Sequence, residues 1–202
     1  MTRAIHLRFI AIAEQVSPKL ADSIQTVGPV KLSRRDNQPI AELLCRVIAG
    51  QQLSVKAAST IWGRVTDGAG NSPLIDHIDV SSVEQLRGCG LSNNKAKAMK
   101  AIVEANSQGI LNTDTLRSMD PEVRSKTLTG IWGVGQWTAD MISISYFGDP
   151  NVWPDTDVTV WKTLEKLTSR RRKTALTAAR FAPHRTYLAL YMWKIADASP
   201  SE

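Results

Sequence analysis

Two closely spaced glycines, Gly133 and Gly135, and two closely spaced aspartates, Asp155 and Asp157, fall within the stretch Leu128 to Lys162. Glycines in Gly133-Val134-Gly135 let the backbone adopt positive φ and approach a ligand closely. A helix pattern begins at about Gln136. Its N-terminus would present free N–H groups and the positive end of the helix dipole, a setting that holds a phosphate without a basic side chain. Asp155 and Asp157 lie where the next helix should begin. Asp is a preferred N-cap, and that role accounts for either residue. The same position suits chemistry, because an ionised carboxylate beside a sugar can stabilise an oxocarbenium-like transition state or activate a water.

Helices must position these groups. Ile5, Phe9, Ile12 and Ala13 repeat at helical spacing, and Ser17-Pro18 predicts an N-cap and first residue for a second helix ending near Gly28. Ile40, Leu43, Leu44, Val47 and Ile48 predict a strongly apolar helix face, stopped at Gly50-Gln51-Gln52. Ser54 can cap the helix that follows, so Gln51 and Gln52 should occupy a tight turn between two buried helices. Residues 68–80 read as irregular. Ser81 and Glu84 fit a capping box, and Ser92 fits the N-cap of a helix with Ala96, Met99, Ile102 and Val103 inward and Lys95, Lys97 and Lys100 on a solvated face.

Asp120-Pro121 should begin a helix that ends at Gly130, in the place of a C-cap. A continuous helix is expected over 136–147, then helices at about 157–167, 173–181 and 185–197. The short connection between Gly130 and Gln136 makes a helix–hairpin–helix. No strand pattern stands out, and roughly ten helices are expected, giving an all-α chain of 202 residues.

Composition narrows the class. Lys and Arg number 25 against 19 Asp and Glu, a net charge of +6 that suits an anionic partner such as nucleic acid or a membrane surface. The longest basic run, Arg170-Arg171-Arg172-Lys173, fits a solvated turn as well as a phosphate contact. Cys45 and Cys89 are too few for a four-cysteine metal site and give little support for a disulfide scaffold. The amino-terminal apolar run is broken by His6 and Arg8, and no run approaches the ~20 residues of a membrane span. A soluble protein of a reducing compartment is expected.

Five stretches in order, GQQLS at 50–54, GLSNNKA at 90–96, LTGIWGVGQWTAD at 128–140, NVWPDTD at 151–157 and HRTYLALYMW at 184–193, resemble the helix-hairpin-helix DNA glycosylases. The branch is the alkylated-base one, of 3-methyladenine DNA glycosylase II type. The likeness runs from about residue 37 to 195 and lacks the amino-terminal β-domain of larger relatives. It implies an all-α helix-hairpin-helix glycosylase fold, a single unit over 1–202 with an active-site cleft between two helical lobes. One lobe would span about 37–130, and the other the amino-terminal helices plus 131–198.

The resemblance also implies roles. The family flips a damaged nucleotide out of duplex DNA and cuts the N-glycosidic bond. NVWPDTDVTV matches the catalytic aspartate at Asp157, while Asp155-Thr156-Asp157-Val158 resembles the bifunctional branch at Asp155; the Pro154 offset and VWKTL favour Asp157. DNA contacts fall on Gln51, Gln52, Ser54, Gly130, Gly133, Val134 and Gly135, with Gln52 as the wedge filling the gap left by the flipped base. Trp137 and Trp193 would line or support the base pocket, where a cationic alkylated base meets an aromatic face. Trp193 reads equally as a core residue. Met141 stands where some relatives carry a tyrosine. Trp137 also occupies the position of the Schiff-base lysine of bifunctional relatives, so no lyase activity is expected.

The expected function is therefore monofunctional excision of alkylated purines in base excision repair. A non-catalytic damage-binding protein is the alternative, and a glycosylase/lyase the third option. No cofactor or catalytic metal is implied, and a structural monovalent cation at the hairpin is left open. The expected partner is double-stranded DNA with alkylated bases, bound by a monomer without membrane association. The location would be cytoplasmic and nucleoid-associated in a bacterium, nuclear in a eukaryote.

Overall fold

A computed structural model describes residues 1–169 and 173–198. Arg170, Arg171 and Arg172 of the basic run lie outside the described residues. Among the described residues there are thirteen α-helices and no strand, somewhat more helices than the periodicity predicts because several are short. The chain packs as two units, residues 35–147 and the discontinuous pair 1–34 with 148–202.

The contiguous unit is built on α3 (Ile40–Gly50), which packs against α4 (Val55–Ala69), α5 (Leu74–Val80), α7 (Asn93–Ser107) and α10 (Gln136–Ile142). Its sequence IAELLCRVIAG buries Ile40, Leu43, Leu44 and Ile48 on one side, and Ala41, Cys45 and Ala49 widen that stripe. Each large apolar side chain so buried contributes roughly 1.5–3 kcal/mol. Two shorter helices, α6 (Val83–Gly88) and α8 (Thr113–Ser118), and then α9 (Pro121–Thr129) complete the unit. The Arg35 N–H donates to the Ser145 carbonyl at 2.7 Å, tying its first residues to its last turn.

Four local expectations change. Residues 74–80 are helical: Pro73 precedes the first turn, and Ile78 packs into the core with Leu74 and Ile75 against it. The capping box belongs to Ser82 and Gln85, one residue along, while the Ser81 hydroxyl donates back to the His77 carbonyl. The helix after the hairpin is not continuous, since a π-helical turn (Ser143–Phe147) follows α10. The Ser145 hydroxyl donates to the Met141 carbonyl there, the kind of back-bonding that loosens an α-helical ladder. Finally, α10 packs on α3 and α9, so the hairpin and the helix after it lie inside the 35–147 unit; the boundary falls after Phe147, not near residue 130.

In the other unit α1 (Arg3–Glu14) lies against α2 (Pro18–Val27), and α11 (Val158–Leu167) against α13 (Arg185–Ala198), with α12 (Thr174–Ala179) beside both of the latter. Phe9, Ile24, Val160, Leu164, Phe181 and Tyr191 form its core. His6, a break in the apolar run of the sequence, is buried and shares a 2.7 Å hydrogen bond with the Tyr191 hydroxyl. Burial pushes the Tyr191 phenol up to about 12. Ser17 stands at the N-cap of α2 but donates its hydroxyl to the Leu167 carbonyl at 2.7 Å instead of capping.

Candidate active site and nucleic-acid interface

The hairpin is shaped by Gly133. Gly130 closes α9 with φ −69°, an ordinary helical value, whereas Gly133 takes φ +83°. A β-carbon on Gly133 would stand 2.4 Å from the β-carbon of Ala98 in α7. Both the left-handed backbone and the close approach therefore exclude a side chain there. Ile131 and Val134 turn inward and anchor the loop, leaving Trp132, 54% exposed, on its outer face. Gly135 is the N-cap of α10 and brings no side chain to the free N–H groups of its first turn.

A polar brace fixes the hairpin from below. The Gln136 amide donates to the Ser125 hydroxyl at 3.1 Å and to the Asp140 carboxylate at 2.8 Å, linking α9 to α10. Asp140 is buried, and desolvation raises its pKa to about 6 against the opposing effect of the Gln136 bond.

The Gln51-Gln52 turn belongs to the same unit. Gln51 is held twice: its side-chain amide donates to the Thr138 hydroxyl of α10 at 2.8 Å, and its carbonyl accepts from the Lys95 ammonium at 2.7 Å. Gln52 is exposed and carries φ +57°, the sole positive φ outside glycine among the described residues. That conformation is uncommon for a residue with a β-carbon. Leu53 and Val55 are exposed just beyond it. Ser54 caps α4 by accepting from the Ala57 N–H at 3.3 Å. Gln51, Gln52, Ser92, Lys95, Trp132 and Gly133 line one pocket of about 330 Å³, so the turn and the hairpin share a surface.

Asp157, Asp155 and Trp193 lie in the other unit. Asp157 is buried at 8% exposure and caps α11, its Oδ1 accepting from the Val160 N–H at 3.0 Å. Asp155 is exposed, and its Oδ1 accepts from the Trp153 indole at 3.2 Å and the Thr174 hydroxyl at 3.4 Å. The two carboxylates thus differ: one sits at a helix N-terminus, the other staples a loop. Trp193 is half-buried against the core of this unit, on the helix that packs on α11. Trp137, on α10, is half-buried in its own unit.

Several residues here escape the sequence reading. Lys95 and Lys100, expected on a solvated face, donate to backbone carbonyls: Lys95 to Ala49 and Gln51, Lys100 to Ile78 and Asp79. Trp132 and Thr138 also join the site. The lysine partners are remote in sequence and leave no local signal there. Burial pushes the Cys45 thiol up, away from reactivity. Among the described residues no cluster of three or more His, Cys, Asp or Glu is placed to hold a metal, and no helix is long and apolar enough to cross a membrane.

The chain is similar to known proteins in sequence and in fold. Residues 45–182 match the family described as HhH-GPD superfamily base excision DNA repair protein. DNA-3-methyladenine glycosylase 1 of Schizosaccharomyces pombe is 31% identical over 181 residues, covering 85% of this chain and 79% of that protein. The structure of S. pombe 3-methyladenine DNA glycosylase in complex with abasic DNA superposes with a TM-score of 0.81 at 27% identity, over 96% of this chain and 99% of the other. A DNA-3-methyladenine glycosidase from Bacillus halodurans gives a TM-score of 0.78 at 28% identity, over 96% and 89%. With the matched segment spanning most of the chain and the hairpin standing within it, this protein belongs to the HhH-GPD superfamily of base excision DNA repair proteins.

Proposed function

We propose that this chain is a monofunctional DNA glycosylase that flips alkylated purines from duplex DNA and hydrolyses their N-glycosidic bond. Family membership and relatives named as 3-methyladenine glycosylases support a base excision repair glycosylase. The observation that carries the catalytic part is the buried carboxylate of Asp157 at the N-terminus of α11, within NVWPDTD. A carboxylate so placed stabilises the developing oxocarbenium sugar as the base departs, or orients the attacking water. Asp155, tied to Trp153 and Thr174, reads as a structural residue.

DNA contact in this reading comes from the uncapped first turn of α10 and from Gln52, with Gln51 and Ser54 holding the turn that presents it. Trp137 stands where bifunctional relatives carry their nucleophilic lysine, so the enzyme leaves an intact abasic strand. Trp193, in the same unit as Asp157, offers an aromatic face for a cationic lesion.

Chromatography of bases released from methylated duplex DNA tests the proposal, with wild type beside Asp157→Asn and Asp155→Asn. Wild type should release alkylated purine, Asp155→Asn should retain most of that rate, and Asp157→Asn should lose it. No release by wild type, together with tight binding to an abasic duplex, would replace this reading with that of a damage-binding protein. Borohydride should trap no covalent adduct with DNA; an adduct would restore the lyase.

A further inference from the structure

Lys95 is set against its own helix. It occupies the third position of α7, whose first turn carries the positive end of the helix dipole, and its own N–H donates to the Ser92 cap. Its ammonium leaves α7 and reaches the opposite pole of α3. There the Ile48 and Gly50 carbonyls accept from the Gln51 and Leu53 N–H groups, at 3.3 and 3.2 Å. The alternating carbonyls, of Ala49 and Gln51, accept from Lys95 Nζ at 2.9 and 2.7 Å. A run of helix-end carbonyls is thus satisfied up to the residue before Gln52, where the backbone turns to φ +57°.

We propose that Lys95 is a positioning residue for DNA engagement, its ammonium locking the Gly50–Leu53 turn so that Gln52 is held outward, ready to enter the duplex. The proposal rests on the reading of Gln52 as the DNA-inserting residue. The simpler role for a cation on this surface is contact with a phosphate. Two of the three ammonium donors already serve backbone carbonyls, and burial lowers the lysine pKa, as expected for a cation drawn out of water. Lys97, exposed on the same helix, offers a control of equal charge.

The test is a double-mutant cycle in the full-length protein, read as affinity for a duplex carrying a stable abasic-site analogue. Lys95→Met removes the donors and keeps most of the stem; Gln52→Ala removes the side chain it is argued to present. Lys95→Met should weaken binding about tenfold, a coupling within the range known for residues acting as one unit. In the Gln52→Ala background the same change should cost less than about twofold. The slope of log affinity against log salt should stay at the wild-type value, and Lys97→Met should leave the tenfold gap unreproduced.

Equal cost in both backgrounds would make Lys95 a general stability residue and overturn the proposal. So would a slope smaller by about 0.9, the mark of one lost phosphate contact, or an equal loss from Lys97→Met. If Lys95→Met does not fold, Lys95→Gln retains one donor group, and the cycle is read on it in the same way, with additivity again decisive against the clamp. Base release is scored separately. A wild type that binds the abasic duplex but releases no base removes the proposed activity and leaves the cycle readable. A wild type that does not distinguish abasic from intact duplex removes the role of Gln52 and of Lys95 with it.

Discussion

Asp157 caps α11, and in the proposed function it also carries the catalytic charge; one substitution can separate the two. Asn is as good an N-cap as Asp, so Asp157→Asn should keep α11 capped and the protein folded while removing the charge. Base release should fall by at least about a hundredfold, the lower range of what a positioned carboxylate contributes, with the thermal midpoint and abasic-duplex affinity nearly unchanged. Asp157→Ala should lose the cap as well, at a cost of about 1 kcal/mol in urea unfolding. At Gly133 the expectation is structural. Alanine there meets Ala98 at 2.4 Å in a backbone with φ +83°, so Gly133→Ala should destabilise by about 2–4 kcal/mol, read as a lower denaturant midpoint. A stable Gly133→Ala protein would mean the hairpin can move off α7.

At the scale of elements, the brace under the hairpin contains a buried carboxyl whose contribution to stability depends on pH. The carboxyl of Asp140 in the folded protein has its pKa raised to about 6, so folding favours its protonated form. Between its ordinary value near 4 and about 6 the folded state binds the extra proton, and this group's contribution to stability therefore falls as pH rises through that window. Asp140→Asn keeps an oxygen for Gln136 and removes the buried charge. The variant should be more stable than wild type at pH 7.5, by on the order of 2 kcal/mol, with the gap closing by pH 4. Equal stability curves for the two proteins across that range would show that Asp140 is well solvated.

The same elements show what a sequence can and cannot disclose. Ser54, Ser92 and Asp157 are legible as caps because a cap is satisfied three residues away, and the apolar stripe of α3 is legible because its period is local. The capping box slips from Ser81 to Ser82 because two adjacent serines satisfy the same pattern and tertiary packing chooses between them. α5 is hidden by the Gly, Pro and Asp around it, since its helicity comes from packing Ile78 rather than from propensity. The partners of Lys95 and Gln51 lie 44 or more residues away, beyond any periodicity. For Gln52 the residue type and place were readable, but its positive φ was not, because Gln gives no sign of it.

For the whole molecule the charge balance makes a prediction of its own. An excess of six positive charges attracts DNA without choosing a sequence, and counterion release makes such binding fall with salt. If about four phosphates are neutralised, duplex affinity should drop about a hundredfold between 50 and 200 mM salt. In the proposed function, base departure depends on the buried carboxylate of Asp157 at the start of α11 rather than on exposed charge, and buried charges are little screened. Single-turnover release from a saturated complex should therefore change less than about twofold over the same salt range. Gel-shift affinities and quench-flow rates at matched salt separate the two. A release rate that falls in parallel with affinity would show that the rate-limiting step still involves exposed phosphate contacts, and that the duplex is not yet fully engaged when the base leaves.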